Sequence, residues 1–202
     1  MTTTRRTQAE RSATTRAALL EATIACLVER GYGGTSTPEV CRRAGVSRGA
    51  QLHHFPTRAS LLAAAVEHLF ERRHAEFRAS LADAQGEARL SAALGALWEI
   101  YRGETLEAWL ELVIASRSDP ELHAAVAGVN ERFLAAAGET FASLFAGSSD
   151  AASAEARVGV RLITALFDGL ALGRIVEDDP DLIRATLQRF GELLRPWLEE
   201  IP

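Results

Sequence analysis

Four consecutive residues, Arg48-Gly49-Ala50-Gln51, carry the clearest chemistry in this 202-residue chain. An arginine fork suits the O6 and N7 acceptors of guanine, and a primary amide suits the donor and acceptor that adenine presents. The glycine and alanine between them leave room for a close approach. Ser47 before them and His53-His54 after them add further hydrogen-bonding groups. Other constellations are weaker. Glu71 and His74 have the Glu-x-x-His spacing of carboxylate di-metal sites, but such sites need two copies and the chain has one. His53 and His54 are adjacent on a helix, so their side chains diverge by about 100° and do not readily hold one ion. The run Glu177-Asp178-Asp179-Pro180-Asp181 lacks calcium-loop spacing and reads as an acidic loop between helices. Cys26 and Cys41 lie inside helical patterns without metal-ligand spacing and read as small core residues. No serine- or cysteine-centred nucleophile sits with an orienting base, and a chain without lysine has no Schiff-base chemistry. No enzyme, cofactor or metal is expected.

Net charge is −5, which alone argues against a partner made of phosphate. The distribution of that charge points the other way. Residues 1–58 hold nine arginines against four glutamates, a balance of +5, and residues 59–202 carry −10. A small basic piece on an acidic remainder fits a head that meets nucleic acid and a body that repels it. No apolar run approaches the roughly 20 residues needed to span a bilayer, and the polar, arginine-bearing start is not a secretory signal. A cytoplasmic protein with no membrane partner is expected.

The elements that would position Arg48–Gln51 are helices throughout. Ala17, Leu20, Ile24, Leu27 and Val28 recur at steps of three and four, predicting a first helix over about 12–30 that stops at Gly31-Tyr32-Gly33-Gly34. Ser36-Thr37-Pro38-Glu39 opens a second, short helix as a capping box. Ala44-Gly45-Val46 turns the chain, Ser47 caps a third helix, and Pro56 ends it near Phe55. Thr57 starts a long fourth helix. Further helices are predicted at about 88–102, 104–116, 120–146, 152–176 and 180–199, with Ser118–Glu121 and Asp179-Pro180-Asp181 as start signals. The expected fold class is all-α with about nine helices. Residues 1–58 are expected to form a three-helix DNA-binding head, with 1–11 as a flexible, loose basic arm, and 59–202 a helical bundle whose ligand-binding and dimerisation roles rest on a family resemblance. Two short helices joined by a tight glycine turn, the second capped by serine, make a helix-turn-helix. Val40 and Val46 can lock its two helices together.

Gly31-Tyr32, Thr35-Ser36, Ala44-Gly45-Val46-Ser47, Gly49, His54-Phe55-Pro56 and Leu61-Leu62 together resemble the N-terminal signature of TetR-family transcriptional regulators. The resemblance covers roughly residues 14–65; beyond it only length and helical content agree. It implies that Ser47 reaches a phosphate, that Arg48 and Ala50 face bases, and that His53 and His54 lie at the edge between base and backbone. It further implies that Arg58 grips phosphate where the family usually has lysine, and that Thr35 and Ser36 touch the DNA backbone. One departure stands out. Gln51-Leu52 replaces the usual Leu-Tyr, removing the customary phosphate-binding hydroxyl and putting an amide on a position usually packed inward. Either the recognition helix rotates slightly or Gln51 gains a base contact.

A head of this kind reads few base pairs, so a homodimer on a palindromic double-stranded operator is expected. Small residues among large apolar ones permit close helix approach. Leu162, Leu166, Gly169, Leu170 and Gly173 on one helix, with Leu187, Phe190 and Leu194 on the next, are the candidate dimer interface, a four-helix bundle that the resemblance implies. The resemblance also implies an apolar pocket for a small effector; Trp98, Tyr101, Trp109, Phe133 and Phe167 are candidate lining residues. The expected function is a repressor released by an apolar or aromatic small molecule. A ligand-independent architectural protein using the same head stays open.

Overall fold

The computed structural model describes residues 7–81, 88–146 and 154–199. These fold into nine α-helices, and no strand occurs among the described residues. The helices are α1 (Gln8–Gly34), α2 (Thr37–Ala44), α3 (Arg48–His54), α4 (Arg58–Ser80), α5 (Ala88–Tyr101), α6 (Glu104–Ser116), α7 (Pro120–Phe141), α8 (Ala154–Val176) and α9 (Pro180–Glu199). The all-α expectation holds. One turn of π-helix, Ala142–Ala146, extends α7.

Helix boundaries follow local chemistry. Thr7 caps α1 in a reciprocal box: its side chain accepts from the Glu10 amide, and Glu10 accepts from the Thr7 amide at 2.7 Å. The expectation of a loose arm over residues 1–11 is corrected here, because Gln8–Arg11 belong to α1; Arg5 and Arg6 lie outside the described residues. Gly31 breaks α1 with φ +64°, a conformation that costs glycine little and other L-residues more. Thr57 and Ser60 cap α4 reciprocally, each hydroxyl accepting from the other's amide at 3.0–3.1 Å. At α7 the cap is Asp119, whose carboxylate accepts from the Leu122 amide, rather than Ser118, whose hydroxyl donates to Ala115 O. Asp179 caps α9 as the sequence predicts.

The chain divides into two packed units. The first joins the described residues up to Phe70 with Glu107–Val129; the second joins Glu71–Leu106 with the described residues from Asn130 onward. In the first, Leu19, Leu20, Ile24 and Cys26 from α1 pack with Val40, Phe55, Leu61 and Leu69, and Val46 closes on this cluster. A second cluster there gathers Leu27, Leu62, Val66, Leu112, Leu122 and Val126. Cys41 is also buried. Each fully buried leucine contributes about 2 kcal/mol of transfer free energy.

In the second unit, Leu90 and Leu94 of α5 pack on Phe167 of α8 and on Ile183, Leu187 and Leu194 of α9. Phe141, Ala156 and Val160 form a neighbouring cluster with Trp197. Gly159 is what lets α8 sit there, because a Cβ at that position would overlap the rings of Phe141 and Trp197. No helix among the described residues is long and apolar enough to cross a membrane.

Candidate DNA-binding interface

The turn between α2 and α3 is built on Gly45, which ends α2 in the left-handed region at φ 66° and ψ 30°. Its amide donates to Arg42 O, and the Val46 amide donates to Cys41 O. Val40 is fully buried and Val46 packs on the same cluster, so the two short helices are locked as the sequence predicts. Ser47 then caps α3, its hydroxyl oxygen accepting from the Ala50 amide at 3.2 Å.

This geometry fixes which residues α3 presents. Ser47, Arg48, Gly49, Leu52 and His53 are exposed; Ala50 and His54 are half-buried. Gln51 is only 1% exposed. Its amide donates to Phe55 O at 2.6 Å, across the end of its own helix, and its carbonyl oxygen is buried without a partner. Gln51 therefore packs inward and the expected base contact is corrected. The amide occupies the position the usual leucine would fill. Leu52, not singled out as a contact residue, takes the outward place.

Two further assignments change. Thr35 is buried and its hydroxyl donates to Gly31 O at 2.8 Å, so it shapes the α1–α2 turn instead of facing a DNA backbone. Ser36 is exposed and caps α2 by accepting from the Glu39 amide. Arg58 does not stand free to grip phosphate. Its Nε donates to Thr35 O at 3.0 Å, its Nη2 donates to Tyr32 O, and its guanidinium lies 4.0 Å from the centre of the Tyr32 ring. No sequence spacing announces that stack, which joins residues 26 positions apart.

Electrostatics separate the arginines of the head. Arg42 pairs with Glu39 through two hydrogen bonds, which hold the Glu39 carboxyl down at about 2. Arg30 reaches the same carboxylate at 3.1 Å. Arg43 donates to both oxygens of Glu29, and that bond lowers the Glu29 carboxyl below its ordinary range. Arg16 lies over the Phe55 ring at 5.6 Å. Arg48 makes no ion pair among the described residues and points outward beside Gly49, where a Cβ would meet nothing within 4 Å. No group of histidine, cysteine and acidic residues could hold a metal among the described residues.

The expected effector residues do not form one cluster. In the second unit, Tyr101 and Phe167 lie 5.2 Å apart and Trp98 and Phe167 6.4 Å apart. Burial, and then the charge of Asp168, push the Tyr101 hydroxyl up. Trp109 belongs to the first unit, packed against Phe70 at 5.3 Å. Phe133 is half-buried on α7.

Of the expected dimer residues, Leu162, Gly169 and Gly173 are exposed on α8, and Leu166, Leu170 and Phe190 are half-buried. Leu187 and Leu194 are corrected: both are buried in the second unit's own core. The exposed apolar residues include Val158, Leu172, Ile175 and Val176 on α8, and Leu182 and Leu193 on α9. Period alone places leucines on a stripe but does not say which stripe faces inward.

Gly45 turns α2 onto a serine-capped α3 whose exposed face carries Arg48, which is the geometry of a helix-turn-helix. Known proteins agree. The family described as bacterial regulatory proteins of the tetR family matches residues 19–65, and the tetracyclin repressor-like C-terminal domain matches residues 83–193. An uncharacterized HTH-type transcriptional regulator of Mycobacterium tuberculosis H37Rv is 33% identical over 96% of this chain and 99% of its own. The regulator CymR of Pseudomonas putida is 39% identical over 63% of this chain and 64% of its own. Among solved structures, a TetR-family regulator from Rhodococcus sp. shares the fold with TM-score 0.74 at 22% identity, covering 90% of this chain and 98% of its own. The chain belongs to the TetR family: it is a DNA-binding transcriptional regulator, not an enzyme.

Proposed function

We propose that the protein works in the cytoplasm as a homodimer on a palindromic operator, as a repressor released by a small apolar or aromatic effector. Residues 1–58 serve as the DNA-binding part and 59–202 as the ligand-binding and dimerisation part, although the first packed unit also takes in Glu107–Val129. The observation that carries the reading is the apolar face left uncovered on α8. Val158, Leu162, Leu172 and Val176 are exposed at helical spacing, and a Cβ at Gly169 or Gly173 would meet nothing within 4 Å. A second copy related by a two-fold axis covers such a face with the same face, and it supplies the second head that a short recognition helix needs.

Ser47, Arg48, Gly49, Ala50, His53 and His54 are the proposed DNA-facing residues. Trp98, Tyr101 and Phe167 are the proposed effector-facing group, since their neighbouring aromatic rings suit a flat apolar ligand. Effector binding then favours a state in which α4 swings and the separation of the two recognition helices changes. The ligand shifts DNA affinity only by its differential affinity for the two states.

Selection of binding sites from randomised duplex DNA at two salt concentrations tests the reading. A short palindrome bound with steep salt dependence is the expected result. Salt-dependent binding that enriches no sequence would replace it with the architectural alternative.

A further inference from the structure

The packing of Gln51 sets the rotation of α3, and Leu52 is the residue that rotation delivers to the surface. Gln51 is held inward by its bond to Phe55 O, so the next side chain, about 100° further round the helix, must turn outward. Leu52 is 45% exposed. Among the described residues it is the one large apolar side chain left exposed before α4; the others lie on α6, α8 and α9. It stands one helical turn beyond Arg48 and three residues beyond Gly49, so all three share the outward face. With no side chain at Gly49, nothing on that face stands between Leu52 and a surface docked against it.

An apolar side chain without a hydroxyl has no use for phosphate. In the major groove the apolar group on offer is the C5 methyl of thymine. We propose that Leu52 reads thymine by packing on that methyl, and so helps to set operator sequence. One helical turn advances about 5.4 Å, between one and two base-pair steps of about 3.4 Å. The thymine therefore lies within about two base pairs of the base that Arg48 reads, once in each half-site. This rests on α3 being the recognition helix.

The test uses the full chain and its selected duplex, with each thymine in turn replaced by deoxyuridine, which removes only the methyl. Loss of one methyl contact weakens binding about fourfold. The expected result is one thymine position per half-site showing that loss, and a Leu52→Ala protein that no longer distinguishes thymine from deoxyuridine there. Leu52 is exposed, so the alanine variant keeps its core. Deoxyuridine tolerated at every position would overturn the proposal, as would a Leu52→Ala protein that still loses affinity on the same replacement. A selection that recovers no sequence at all would overturn the recognition-helix reading itself, and the proposal with it.

Discussion

The Arg58 guanidinium lies over the Tyr32 ring, 4.0 Å from its centre, while donating to the carbonyl oxygens of Tyr32 and Thr35. Tyr32 is in turn tied down by two carboxylates. Its amide donates to Glu111 at 2.6 Å and its hydroxyl to Asp119 at 3.3 Å. The turn from α1 to α2, which places the whole helix-turn-helix, is thus fastened to the start of α4, to α6 and to the entrance of α7.

Arg58→Ala is expected to lower stability by about 1–3 kcal/mol, through loss of two charge-assisted hydrogen bonds and a cation–π contact. Thermal unfolding reads this directly. The salt slope of DNA binding should stay unchanged, because the guanidinium is committed to the turn. A slope reduced by about one would instead show that Arg58 holds a phosphate.

Gly31→Ala should cost about 1–3 kcal/mol, because φ +64° with ψ −177° is a region open essentially to glycine alone. A Cβ there would also come within 2.8 Å of the Glu111 carboxylate, a flexible group able to move aside. The double variant with Glu111→Ala should therefore recover little. Full recovery in denaturant titrations would place the cost in the clash and not in the backbone.

Burial raises the Asp168 carboxyl above its ordinary value of 3.8, with Arg161 opposing weakly. The fold thus disfavours the ionised form. The contribution of Asp168 is most favourable below the unfolded value and is lost as pH rises through the raised folded value. Asp168→Asn should raise the melting temperature at pH 7, and the difference should vanish near pH 3. A variant less stable at pH 7 would show that the carboxylate has a partner that the free chain lacks.

Leu162→Arg places a charge in the uncovered α8 face. Sedimentation should then show dimers for the wild type and monomers for the variant, with operator affinity reduced by tenfold or more, since unpaired buried charge at an interface costs at least about 1.4 kcal/mol. An unchanged dimer would move the interface elsewhere.

Much of the fold was legible because helix ends announce themselves in single residues. Gly31, Ser47, Pro56 and the Asp179-Pro180 pair each mark a boundary that the backbone obeys. Side-chain partners were less legible. Gln51 reads as a base-contacting amide until packing shows that its position faces Phe55. Arg58 reads as a phosphate ligand until Tyr32, far away in sequence, is seen beneath it. Leu182 and Leu187 lie five residues apart on α9, about 140° round the helix, and one is exposed while the other is buried. Periodicity gives the angle between them but not the direction of the core. Trp98 and Trp109 look equivalent in composition, and only the packing assigns them to different units.

On the proposed dimer, the uncovered apolar face on α8 would also tie regulation to gene dosage. If single chains must pair before two heads can engage one operator, occupancy at low expression rises with the square of the protein concentration. Halving the amount of protein would then lower operator occupancy about fourfold, and a promoter under such a dimer would answer to cell growth and dilution as well as to any small molecule.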